Sequence, residues 1–132
     1  YNGLSLPDCS PSEIVDRCKK DIGSNLPIDV CILGMGVDMH IASIFPDSDR
    51  LDEALAVGTH EILVPIDAPS LSETRITLTA EVLKGSGSLH IILTGYEKKV
   101  AFEKSLNLEN KKEAPVRSVL FRNDETFIHY AD

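Results

Sequence analysis

The sequence predicts an α/β fold built on a mainly parallel sheet. Two apolar, largely β-branched runs carry that prediction: Ile28-Asp29-Val30-Cys31-Ile32-Leu33 and Leu89-His90-Ile91-Ile92-Leu93. Such short apolar runs read as buried strands. Gly34 closes the first run and Gly95 follows the second, with helix-patterned segments between and after them. Strands that alternate with helices imply crossover connections and parallel pairing.

The elements follow in order. Ser10-Pro11-Ser12-Glu13 is a helix start, with Ser10 as N-cap, Pro11 in the first turn and Glu13 closing a capping box. Ile14, Val15, Cys18 and Ile22 then recur at helical spacing, and Gly23 is the expected stop. After the first strand, Ile41 to Ile44 is expected to open a short helix ended by Pro46. Leu51 to Ala56 suggests a helical turn, and Glu61-Ile62-Leu63-Val64 a strand. Arg75-Ile76-Thr77-Leu78 is β-like, and Thr79 can cap a helix over Ala80 to Lys84. Ser88 to Thr94 holds the second buried strand, and Glu97 to Leu106 reads as a helix. Pro115 to Leu120 looks helical, and Thr126 to Tyr130 is a closing strand. The charged stretch Glu109 to Glu113 is expected to be a solvated loop. There is no internal repeat.

Composition limits the functional classes. A chain of 132 residues is at most one domain of ordinary size, and a 42% apolar share is enough for a core. The formal net charge of −8 argues against nucleic-acid and anionic-membrane partners, which select basic surfaces. A small anionic ligand remains compatible, because a local cation cluster can oppose the global charge. No apolar run approaches the roughly 20 residues of a membrane span. No signal peptide is visible at the start. Cys9, Cys18 and Cys31 are an odd set without metal-type spacing, which suits free thiols and a cytoplasmic setting.

The segment Gly34-Met35-Gly36-Val37-Asp38-Met39-His40 carries the chemistry. It stands at the exit of the first strand, where α/β sheets bind their ligands. Gly34 and Gly36 allow a ligand to approach the main chain. Asp38 and His40 place an acid and an imidazole two residues apart, and imidazole is the usual general base near neutral pH. Plainer readings exist: Asp38 as a helix N-cap, His40 bonding backbone groups, Arg75 in an ion pair with Glu73 or Glu81, and Lys98 as a solvated lysine.

Three blocks give the chain a family resemblance. Leu33-Gly34-Met35-Gly36-Val37-Asp38-Met39-His40-Ile41-Ala42-Ser43-Ile44-Phe45-Pro46 is close to L-G-M-G-x-D-G-H-T-A-S-L-F-P. Ser72 to Thr79 is close to P-P-x-R-I-T-L-T, and Leu93-Thr94-Gly95-Tyr96-Glu97-Lys98 to a T-G-x-x-K segment. Pro115 to Leu120 fits a late P-x-x-x-L helix. In these blocks the chain resembles the 6-phosphogluconolactonases, a branch of the group that includes glucosamine-6-phosphate deaminases. The resemblance spans nearly the whole chain. It implies a three-layer, Rossmann-like sheet with helices on both faces.

The resemblance also implies roles. His40 would be the general base that activates water against the carbonyl of 6-phospho-D-glucono-1,5-lactone. Asp38 would orient it. Gly34 and Gly36 would border the substrate, and Arg75 and Lys98 would hold its phosphate. Backbone N–H groups near Gly34 to Gly36 and at the start of the Ile41 helix are expected to face the oxyanion. No cofactor or metal is implied.

The chain also departs from that family. Val37 and Met39 replace a common proline and glycine. Met39 is expected either to sit strained at positive φ or to narrow the site. The family's S-G-G-x-T/S-P phosphate turn and D-E-R segment are absent, and the chain opens at Tyr1-Asn2-Gly3. It therefore reads as the carboxyl-terminal part, over 1–132, of a single domain that lacks its amino-terminal strands. The missing half or a second copy of the chain is expected to cover the surface left open. Two alternatives stand beside the lactonase. A deaminase or isomerase would carry G-H-I-A-F-N-E-P, whose acidic residue is missing after Ala42. A catalytically inactive sugar-phosphate-binding fragment would fit Met39 and the missing half.

Overall fold

The computed structural model describes residues 9–132, so the opening Tyr1-Asn2-Gly3 lies outside the described residues. Helix α1 spans Pro11–Gly23. Its capping box forms as expected: the Ser10 N–H donates to Glu13 Oε2 at 2.8 Å, and the Glu13 N–H to Ser10 Oγ at 3.3 Å. Gly23 is not a left-handed stop but the last helical residue, and Ser24 ends the helix in right-handed geometry. The glycine serves a close approach instead, since a Cβ on it would lie 3.0 Å from Ile62 Cδ1.

α1 lies on an antiparallel hairpin of β2 (Leu63–Ile66) and β3 (Arg75–Leu78). Ile14, Val15 and Cys18 bury their side chains with Leu63. β2 begins two residues later than the sequence predicts and includes Pro65. A two-stranded sheet leaves each strand one unpaired edge, where the missing proline N–H costs no hydrogen bond.

The main sheet is parallel, in the order β1 (Val30–Gly34), β4 (Ser88–Thr94), β5 (Thr126–Ala131). The register sets Cys31 beside Leu89 and Leu33 beside Ile91, so these four side chains share one face. Connecting elements bring α2 (Leu51–Ala54), α3 (Ala80–Lys84), α4 (Tyr96–Asn107) and α5 (Arg117–Leu120). Leu83 of α3, Ala101 of α4 and Val119 of α5 join the four sheet residues in one core. Each fully buried Leu, Ile or Val contributes about 1.5–3 kcal/mol relative to its exposed state. Arg122 ties the far end together, donating to the carbonyls of Lys84, Ser86 and Gly87.

The α/β class and the parallel sheet are as predicted, but the covering is one-sided. Among the described residues α2 to α5 bury their apolar side chains against one face, and the other exposes Val30 at 58%, Ile32 at 64%, Ile92 at 45% and Phe127 at 43%. β1 and β4 are therefore half-buried strands, although their unbroken apolar runs resemble strands buried on both sides. No helix among the described residues is long and apolar enough to cross a membrane.

The helix expected over Ile41 to Ile44 does not form. Ile41 instead bridges both Met35 and Ile44, and Ala42 takes φ 50°. A left-handed residue interrupts the run of right-handed angles that a helix requires.

Candidate active site

The polypeptide leaves β1 at Gly34 and folds back on itself. The Met39 N–H donates to the Gly36 carbonyl at 3.0 Å, and the Gly36 N–H to the His40 carbonyl at 3.1 Å. This turn brings Asp38 and His40 side by side. His40 Nδ1 lies 2.6 Å from Asp38 Oδ1, and the His40 N–H reaches the same oxygen at 3.3 Å. A carboxylate only accepts, so the neutral imidazole carries its proton on Nδ1 and keeps the Nε2 lone pair.

Gly36 is required here for steric reasons. A Cβ on it would overlap Nδ1 and Cε1 of His40 and Oδ1 of Asp38. Met39 takes φ 66°, so the position where glycine is expected does hold a left-handed backbone. Its side chain does not narrow the site; it is buried in the main core. The Met39 carbonyl accepts from the Val116 N–H at 3.1 Å, which pins the turn to the segment before α5.

His40 opens onto a groove of about 410 Å³, lined with Gly34, Gly36, Ala42 and Lys98. Lys98 is half-buried in the first turn of α4, which follows Gly95 at φ 84°. Thus the residues expected at the site meet, with one exception. Arg75 lines a separate groove with Ser43, Glu73 and Ile76. It makes no ion pair with Glu73 or Glu81 among the described residues; Glu81 instead bonds Lys84 at 2.8 Å and the Gly58 N–H at 3.0 Å. Of the expected backbone oxyanion donors, the Gly36 N–H is taken by the His40 carbonyl, and no helix starts at Ile41 to offer its N-terminus.

Sequence reasoning missed two contributors. Phe45 packs on the His40 ring with centroids 4.3 Å apart, and Ala42 lines the groove in left-handed geometry. The Phe45-Pro46 pair was visible in the motif, but its neighbour depends on the fold of the loop. No composition signal marks Ala42.

Cys31 is buried, and that burial pushes its thiol above the usual range, as suits a packing residue. His90 and His129 meet on the open face of the sheet, 2.9 Å apart between Nδ1 and Nε2, away from this groove.

A parallel α/β sheet with an acid–histidine pair at a strand exit defines a class of ligand-binding α/β proteins. Residues 4–128 match the family described as glucosamine-6-phosphate isomerases/6-phosphogluconolactonase, and the chain belongs to that family. It is 41% identical over 122 residues to a 6-phosphogluconolactonase of Pseudomonas aeruginosa, covering 91% of this chain and 51% of that protein. To the human 6-phosphogluconolactonase it is 37% identical over 100 residues, covering 74% and 36% respectively. The crystal structure of a 6-phosphogluconolactonase from Shewanella baltica superposes with a TM-score of 0.90 at 28% identity, over 98% of this chain and 56% of that one. The chain thus spans about half the length of these relatives or less.

Proposed function

We propose that the protein to which this chain belongs hydrolyses 6-phospho-D-glucono-1,5-lactone to 6-phosphogluconate, in the pentose phosphate pathway. The observation that carries this reading is the His40–Asp38 pair, 2.6 Å apart at the mouth of the Lys98 groove. The names of the relatives supply the substrate. Nε2 of His40 takes a proton from water as the oxygen attacks the lactone carbonyl. The tetrahedral intermediate collapses by breaking the ring C–O bond, and the proton passes to the departing ring oxygen. Asp38 holds the imidazole in its Nδ1–H form and balances the charge that develops on it. Gly34 leaves room for the substrate beside the main chain, and Gly36 borders the groove while making room for the His40 ring. Lys98 supplies a cation for the phosphate. Arg75, across the Ala42-Ser43 turn, serves the phosphate only of a substrate long enough to reach its groove.

A deaminase or isomerase is the weaker reading, since that branch places an acidic residue where this chain has Phe45-Pro46. We read residues 1–132 as the carboxyl-terminal part of one cytoplasmic α/β domain. The remainder of that domain, or a second copy of the chain, packs on the exposed face of Val30, Ile32 and Ile92. The one-sided core and the half-length coverage support this.

The test is hydrolysis of freshly prepared 6-phosphogluconolactone by the full-length protein, corrected for spontaneous opening. His40→Ala should lower kcat by about 10²–10⁴-fold while the protein stays folded. Normal turnover in that variant would end the general-base assignment.

A further inference from the structure

We propose that Phe45 is a positioning residue for His40, holding the plane of the imidazole that Asp38 anchors at one atom only. The inference rests on the lactonase reading for its kinetic consequence, but not for its structural one. Its starting point is an insufficiency in the acid–histidine pair. The hydrogen bond to Asp38 fixes Nδ1, yet the torsion that rotates a histidine ring about its Cβ–Cγ bond is broad and two-fold. A ring tethered at one nitrogen can still tilt. The tether is itself open to solvent, with the Asp38 side chain 44% exposed.

Phe45 supplies the missing constraint. Its ring centroid lies 4.3 Å from that of the imidazole, with an interplanar angle of 38°. That is a close, tilted ring-on-ring contact. Phe45 is itself fixed: it is buried in the main core, and its carbonyl accepts from the Ser48 N–H at 3.2 Å and Oγ at 2.8 Å. Its ring stands behind the imidazole and not among the residues that line the groove. It can therefore govern the aim of Nε2 without touching substrate. Gly36 closes the Nδ1–Cε1 edge of the same ring, where even a methyl group would overlap it. Asp38, Gly36 and Phe45 together leave the imidazole one orientation, with the lone pair of Nε2 toward the groove.

The experiment compares Phe45→Leu and Phe45→Met with the full-length wild type. Both variants keep an apolar group in the core but remove the ring. Leu51→Ala is the control, because it opens the same core from α2 and leaves the Phe45 ring in place. Two quantities are read: kcat and KM with 6-phosphogluconolactone, and the ¹⁵N shifts of the His40 ring nitrogens where the imidazole is neutral. In the wild type these shifts should show one protonated and one bare nitrogen. In both ring-less variants they should move toward each other, with kcat at least tenfold lower and KM within twofold. Leu51→Ala should change neither readout. Either change without the other, or both reproduced by Leu51→Ala, overturns the proposal. If the wild type does not hydrolyse the lactone, the lactonase reading fails. The nitrogen shifts then decide alone whether Phe45 positions the imidazole.

Discussion

Asp38 Oδ1 lies 2.6 Å from His40 Nδ1 and 3.3 Å from the backbone N–H of the same residue. One carboxylate oxygen thus sets both the ring and the main chain of the proposed base. Asp38→Asn keeps the size and much of the backbone hydrogen bonding, but it cannot balance an imidazolium or enforce the Nδ1–H form. It should lower kcat by roughly one to three orders of magnitude with little change in KM. Steady-state kinetics of the folded variant check this, and an unchanged kcat would reduce Asp38 to a turn residue.

Lys98 and Arg75 separate two models of substrate binding. Lys98 shares the groove with His40, whereas Arg75 lines another. Lys98→Ala should raise KM for the phosphorylated lactone by roughly tenfold, the loss of about 1.4 kcal/mol of charge-assisted binding. Arg75→Ala should raise it less. The reverse order would place the phosphate beside Arg75 and show that the substrate reaches across the Ala42-Ser43 turn.

Met39 and Ala42 both hold left-handed backbone, at φ 66° and 50°. Such residues carry strain of about 1–3 kcal/mol each. Ala42→Gly removes only a methyl group and should raise stability by about 0.5–1 kcal/mol after the added unfolded-state entropy. Met39→Gly relaxes the same strain but deletes a buried core side chain, which costs about 2–5 kcal/mol. It should therefore be the less stable of the two and fall below the wild type. Denaturant midpoints read that order, and a stabilising Met39→Gly would mean that its side chain contributes little to the core.

Glu81 links α3 to the loop at Gly58. The hydrogen bond from Lys84, supported by the Gly58 N–H and opposed by partial burial, holds its carboxyl below the ordinary value of 4.5. A depressed acid contributes stability that is fully present above its unfolded value and is lost as the pH falls through the folded one. Unfolding midpoints should therefore begin to drop below about pH 4.5, and Glu81→Gln should flatten that part of the curve. An identical acid limb in the variant would assign the loss to other carboxylates.

The sequence by itself determined what short-range chemistry controls. Ser10 and Glu13 meet because a capping box needs only neighbours three residues apart. The Ser88 to Thr94 strand and the Tyr96–Asn107 helix follow from local pattern, and Asp38 and His40 are kept close by a two-residue spacing. Tertiary structure decided the rest. The 41–44 segment has apolar residues fit for a helix, but Ile41 pairs with Met35, a contact that local propensity cannot register. The strands β1 and β4 have sequences fit for burial on both faces, yet only packed neighbours determine which faces are covered. Lys98 and Arg75 are both plausible anion ligands in the sequence. Only the packing of α4 on β4, which brings Lys98 to the end of β1, and the placement of β3 beyond the Ala42-Ser43 turn put one in the histidine's groove and the other outside it. Phe45 became legible last, because a ring contact depends on the path of a loop that two left-handed residues bend.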